Sequence, residues 1–248
     1  MSLHAQLLLL LINTILSLSP AQRLAKRFQR TPHKQAPQST IITIACTTVT
    51  MRLPYTPNPP QPADPAEEAI VSRITARRAP RPLQPLDLTL LHSPPVADGW
   101  NSFLGAVRTQ TIVPADLREL AISRVAVVNR AWYEWMHHAP LAVGAGVPKA
   151  AMDWLKGQAG DLAEPSVAAE GTDLFGEGQW AALLLADEMT RDVQVSDETF
   201  AKVKGLFGER EVVELVATVA CYNCVSRFLV ALDVGERNAT GPDAPAAH

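Results

Sequence analysis

The stretch from Asp116 to Val147, DLRELAISRVAVVNRAWYEWMHHAPLAVGAGV, constrains the fold more than any other part of the chain. Its apolar residues recur at helical spacing with no strand-like alternation between them. Into this core-forming pattern are set Glu119, Arg124, Glu134, His137 and His138, with Trp132, Tyr133 and Trp135 around the last three. Gly144, Gly146 and Pro148 then end the element. Acid, base and aromatic groups crowd onto one helical run, and the flanking sequence reads as its scaffold.

Upstream the texture differs. Residues 1–63 hold no Asp or Glu, and the first acid is Asp64. The apolar run Leu7–Leu18 is shorter than the ~20 residues a transmembrane helix needs. Arg23, Lys26, Arg27 and Arg30 follow it, whereas a secretory signal carries its basic residues ahead of the apolar run. Residues 1–50 therefore read either as a mitochondrial transit peptide or as an over-extended gene model whose start is Met51. Neither makes them part of the fold. The expected location is cytoplasmic, or mitochondrial if the segment is a real transit peptide.

Residues 51–97 form a proline-rich arm, in which closely spaced prolines exclude long helices. One helix fits, with Pro65 in its first turn, Glu67 and Glu68 near its N-terminus and basic residues at its end. Asp87–His92 adds one further helical turn, and the arm is expected to wrap the main domain.

From Val96 onward helices succeed one another. Trp100, Phe103, Leu104 and Val107 stand at i, i+3, i+4, i+7 on a helix capped by Asp98. Asp116 with Glu119 at N3 predicts a capping box for the next helix. A short helix begins with Pro148 at N1 and closes at Gly157, and a loop is expected from Gly157 to about Gly176. Further helices cover GQWAALLLADEMTRDV, the Ser196-capped SDETFAKVKGLFG, and the long apolar EREVVELVATVACYNCVSRFLVALDVG. Apart from a doubtful strand at 41–50, no stretch reads as β. The body is expected to be all-α over 98–235, with a fraying tail at 236–248.

A net charge of -3 gives no argument for nucleic acid or an anionic membrane as partner, and no stable membrane insertion is expected. Cys46, Cys221 and Cys224 are too few for a disulfide framework. Cys221-Tyr222-Asn223-Cys224 has redox spacing, but it lies within an apolar helix, where cysteines behave as small hydrophobes. Adjacent His137 and His138 diverge and lack a third ligand, so no metal is expected. Nor does the sequence hold a phosphate loop or a G-x-G-x-x-G, and no cofactor is expected. Asn238-Ala239-Thr240 is a sequon in a tail.

Glu134 and His138 are four residues apart, which places them on one helix face, where a carboxylate can fix an imidazole's tautomer. A surface ion pair with the aromatics turned to the core fits the same spacing. Arg118, Glu119 and Arg124 read as a cap and solvated arginines on composition alone. On one straight helix Glu119 and Glu134 would stand roughly 22 Å apart. For both to share a site, the chain must bend near Asn129–Arg130, or a second subunit must supply one of them.

The R-E-x-A-I-x-x-V-A pattern at Arg118–Ala126, the E-x-x-x-H of Glu134–His138 and the terminal CYNCVSRFLVALDV resemble the carboxymuconolactone decarboxylase / alkylhydroperoxidase D-like (AhpD-like) superfamily. The resemblance covers roughly residues 98–235. It implies an AhpD-like helical bundle and a homo-oligomer, a trimer or hexamer. In the hydroperoxidase branch a Glu is followed by C-x-x-C and a His. Laid on this sequence, the pattern puts Glu119 on the Glu, Ala131 and Glu134 on the two cysteines, and His138 on the His. Without those thiols, disulfide-based peroxide reduction at this position is excluded, and the chain resembles the non-redox, decarboxylase-like branch.

The resemblance implies His138 as principal proton carrier, Glu134 orienting or sharing its proton, and Glu119 as a second acid–base group. Tyr133, Trp100, Arg124 and His137 would contact or support a small carboxylic acid or lactone. The chemistry would be decarboxylation, or lactone opening or isomerisation. Two alternatives stand beside it: peroxidase activity through Cys221 and Cys224, and a non-catalytic oligomeric binding protein on the same fold.

Overall fold

The computed structural model describes residues 51–244. The expected targeting or extension segment, residues 1–50, and the doubtful strand at 41–50 lie outside them. Ten helices follow in order: α1 Pro65–Arg78, α2 Pro85–Leu90, α3 Pro94–Thr109, α4 Ala115–Asn129, α5 Trp132–Gly144, α6 Lys149–Gly157, α7 Pro165–Leu174, α8 Glu177–Arg191, α9 Asp197–Leu206 and α10 Glu209–Leu232. Among the described residues there is no strand, and the body is all-α.

Helix α4 is the central post. Leu120, Ala121, Ile122, Val125 and Ala126 are fully buried, and successive residues face different neighbours. Ala121, Ile122 and Val125 pack with the arm, α3 and α10. Leu120, Ala126 and Val127 pack with α5, α6 and the start of α8. Leu117 joins α8, α9 and the start of α10. A helix apolar all round can only be stable if covered all round, and α5, α8 and α10 supply most of that cover.

The arm belongs to the same core. Ile74, Leu86, Leu90 and Leu91 are buried with Val107, Tyr222 and Leu229. Its first residues run along the end of α10, where Arg52 N donates to Leu232 O at 3.1 Å. Gly235 N donates to the Tyr55 hydroxyl at 2.9 Å. Gly235 has φ +74, and a Cβ there would lie 2.5 Å from the Tyr133 ring, so both backbone and space require glycine. Asp64 caps α1 as a short polar residue before Pro65 should, accepting from the amides of Ala66 and Glu67. Ser196 likewise caps α9.

Several boundaries differ from expectation. Asp98 lies inside α3, which starts at Pro94, and it pairs with Arg73 at 2.9 Å instead of capping. Asp116 is not a cap either: Pro114 precedes α4, and Asp116 accepts from Gln179 Nε2 at 2.9 Å. The expected capping box fails because Glu119 is occupied elsewhere. Pro148 precedes α6 by one residue, and Gln158 follows it as the cap. The segment expected to be a loop contains α7, whose Gly171 sits where the Trp180 ring leaves no room for a side chain. The tail is also held through Ala244: Arg237 is buried, and Asn238 N donates to Asp233 at 2.8 Å.

Arg124 corrects a further expectation, because it faces away from the cavity described below. Its Nη2 lies 2.5 Å from Asp187 Oδ1 and 2.6 Å from Gly160 O, and Nη1 also donates to Gln158 O. Asp187 further accepts from Arg191 Nε at 2.8 Å and from Leu162 N at 3.0 Å. This network, with Arg124 and Asp187 fully buried at its centre, ties the strap 158–162 to α4 and α8. Removing one member leaves the other charge buried and unpaired. Asp187→Ala is therefore expected to lower the unfolding free energy by about 3–5 kcal/mol, read as a shifted urea midpoint; an unchanged midpoint would show that the network carries no stability.

Candidate active site

The site is set by one left-handed residue. Arg130, at φ 53 and ψ 35, ends α4, and its amide closes the last turn onto Ala126 O and Val127 O. After a single further residue α5 begins and folds back along α4. His138 Nδ1 thereby reaches Glu119 Oε2 at 2.6 Å, with both side chains buried. The bend needed to join these groups is present within one chain.

The pairing differs from the one expected from spacing. Glu134 and His138 do share a face of α5, but that face looks into a corner between α4 and α10. His138 takes Glu119 from α4. Glu134 takes Ser226 from α10, whose Oγ donates to Oε2 at 2.9 Å. The second oxygen of Glu134, Oε1, is buried with no partner. The group that orients His138 is thus Glu119, and Glu134 stands apart from the pair.

The two carboxyls sit in opposite electrostatic settings. Burial pushes Glu119 up, but the His138 hydrogen bond and the positive charge of His138, Arg108 and Arg118 outweigh it and hold the group ionised. Burial pushes His138 down; the hydrogen bond and charge of Glu119 offset part of this, while Arg108 and His137 add to the lowering. We read the pair as a Glu119 carboxylate beside a neutral imidazole, since Arg108 and Arg118 favour the anion whichever form the ring takes. Nδ1 then carries the proton toward Glu119 and Nε2 keeps a free lone pair. Glu134 is raised well above the ordinary carboxylate range by complete burial, which Ser226 counters only in part. Its surroundings favour the protonated form.

These groups border a cavity of about 100 Å³. Trp100, Tyr133, Glu134 and Tyr222 all line it, and each has a buried polar atom without a partner: the indole Nε1, two phenol oxygens and Oε1. Buried polar atoms are nearly always paired. Four orphans around one cavity mark a place shaped for a polar ligand. His137 also lines the cavity, with Nδ1 2.7 Å from Tyr133 O. Tyr222 meets the His138 ring edge-on at 4.8 Å. Glu119 lies behind His138 and does not line the cavity.

Sequence reasoning missed Ser226, Tyr222 and the arginines of the rim, Arg77, Arg78, Arg81 and Arg108. Tyr222 and Ser226 carried a signal, being polar residues four apart on a mostly apolar helix. Nothing local distinguishes Arg81 or Arg108 from a solvated arginine.

Cys221 is buried, and its thiol is pushed up to about 12 by burial, with Cys224 and Glu134 adding to the rise. A thiol in that range carries little thiolate. Cys224 is exposed. Among the described residues, no three His, Cys, Asp or Glu side chains cluster as a metal site.

A family model described as the carboxymuconolactone decarboxylase family matches residues 94–163, which include Glu119, Glu134 and His138. No curated protein matches the sequence. Among solved structures, an alkylhydroperoxidase AhpD core, an uncharacterized peroxidase-related protein from Ralstonia eutropha JMP134, superposes with TM-score 0.58 at 16% identity, over 79% of this chain and 98% of that one. The apo debrominase Bmp8 superposes with TM-score 0.52 at 17% identity, over 68% and 85%. A Bmp8 variant in complex with 2,3,4-tribromopyrrole gives TM-score 0.53 at 17% identity, over 68% and 84%.

Both electrostatic assignments are measurable. A raised carboxyl binds its proton more tightly when folded. The stability Glu134 adds is therefore complete below the unfolded value of about 4.3 and lost as pH rises toward the folded one. Glu134→Gln should gain stability relative to wild type as pH rises from about 5 to 8; parallel stability curves would place Glu134 in its ionised form. Glu119→Gln removes an influence that raises His138, so the imidazole should titrate lower still by NMR. A rise would overturn the pairing.

Proposed function

Residues 94–163 belong to the carboxymuconolactone decarboxylase family and the chain has the AhpD-like fold, and from that footing we propose a cofactor-free acid–base enzyme acting on a small carboxylic acid or lactone. The family match supports enzymatic function at the level of the family; the reaction is our own reading. One observation carries it: an imidazole hydrogen-bonded to a buried carboxylate, and a second carboxyl that burial drives toward its protonated form, line the same small cavity. Two titratable groups driven to opposite protonation states suit a paired base and acid.

In lactone isomerisation, His138 Nε2 takes a proton from a carbon next to the carbonyl, and the electron pair moves into an enolate. Glu119 stabilises the imidazolium that forms. Glu134 returns a proton at the new position, and proton exchange between the two groups or with water restores both. In decarboxylation the bond to the carboxylate breaks, CO2 leaves, and the pair left behind forms the enolate. Glu134 then supplies the proton that takes the place of CO2. The phenols of Tyr133 and Tyr222, whose buried oxygens lack partners beside the cavity, would steady the enolate charge.

The AhpD-core neighbour keeps a second reading open, peroxide reduction through Cys221 and Cys224. It has to overcome the raised Cys221 thiol. Peroxide consumption lost in Cys221→Ala would favour it.

The test of the main reading is a pH–rate profile on a carboxymuconolactone-type lactone acid. His138→Ala should lose about 10²–10⁴ in kcat/KM. The wild-type rate should fall on the acid side as His138 protonates and on the alkaline side as Glu134 ionises, and Glu134→Gln should remove the alkaline limb. A His138→Ala protein as active as wild type would overturn the assignment.

A further inference from the structure

The acid–base pair leaves the cationic wall of the cavity largely unused. Arg77 and Arg78 come from the end of α1, Arg81 from the turn after it, and Arg108 from the last turn of α3. They are not equivalent. Arg78 is buried in a two-pronged pair with Asp87, Nη2 to Oδ1 at 2.8 Å and Nε to Oδ2 at 2.8 Å. Arg77 donates to Asn101 Oδ1 and stands 3.9 Å from Asp87. These two hold α1 against α2 and α3.

Arg81 and Arg108 do no such work. Among the described residues, neither guanidinium has a hydrogen-bond or ion-pair partner. Arg108 is half-buried, and its charge is felt at Glu119, His138 and Tyr222, so it sits close to the reactive groups. The nearby anion, Glu119, is already engaged by His138 and Arg118. Arg81 is exposed at the mouth of the same cavity. Two unengaged guanidinium forks on one cavity, with orphaned indole and phenol groups also lining it, suit an anion on a flat organic body.

We propose that Arg81 and Arg108 are the seat of a substrate carboxylate that is not the reacting group. The substrate class is then a carboxylic acid whose reacting carbonyl or second carboxylate lies away from the seated one, near His138 and Glu134. The seat makes the arm a specificity element, since Arg81 lies outside the segment that matches the family model. The placement of the reacting end rests on the acid–base reading; the seat itself does not.

The experiment is calorimetric titration of the full chain with benzoate and with its neutral isostere benzamide. Wild type should bind benzoate about tenfold more tightly than benzamide. Arg81→Gln and Arg108→Gln should each remove part of that preference and the double variant all of it, with benzamide affinity unchanged. Neither side chain has a partner to lose, so the variants should keep the wild-type melting temperature.

A wild type that does not prefer benzoate, or a double variant that still does, overturns the seat. Inorganic phosphate displacing benzoate at lower concentration than a second carboxylate would overturn the choice of carboxylate. Turnover is read separately. If the preference holds but no lactone acid is consumed, the seat stands and the acid–base reading falls; the opposite result removes the seat alone.

Discussion

The left-handed turn at Arg130 is the constraint on which the site depends. A non-glycine residue in this conformation costs on the order of 1 kcal/mol, and the return is that α5 lies back along α4. Only then do Glu119 and His138, nineteen positions apart in the chain, share a hydrogen bond. Only then does α5 turn Glu134 toward Ser226 on α10. One reversal of chain direction puts two carboxyls in opposite surroundings, Glu119 against His138 where its pKa is lowered, and Glu134 in full burial where its pKa is raised.

Helix α4 buries two charges, and the fold treats them in opposite ways. Arg124 is closed off: Asp187 and the carbonyls of the 158–162 strap meet it directly. Glu119 is met by His138 alone among buried groups, and beyond that ring lies a cavity edged with unpartnered polar atoms. Complete satisfaction marks Arg124 as scaffold. Incomplete satisfaction marks the region around His138 as the candidate site.

The all-helical body was legible because its apolar residues keep a period near 3.6 over long runs, and α10 takes up 24 residues of the run read as one long helix. Proline at Pro65 and serine at Ser196 announced helix starts that the structure contains. Helix α7 was illegible because its sequence, PSVAAEGTDL, buries little and carries a glycine in its interior. The site residues Glu119, Glu134, Tyr133, Trp100, His137 and His138 could be named from their crowding and from the resemblance. Their partners could not. Spacing fixes which residues share a helix face, but the identity of the facing helix is a tertiary fact, and it assigned Glu119 to His138 and Ser226 to Glu134. Arg124 was misplaced for the same reason: an arginine in an apolar run looks alike whether it faces a ligand or an aspartate.

The burial of α4 also bears on how the chain is made. Its covers α8 and α10 are encoded well after it, and the last residue of α10 follows the end of α4 by roughly a hundred positions, about 5–20 s of synthesis. During that interval a helix apolar on every side has only the arm, α3 and α5 to lie against. The nascent chain therefore passes through a stage in which the residues of α4 that meet α8 and α10 in the finished fold have no cover. The cavity can be complete only once α10, which brings its Tyr222 wall, has been made.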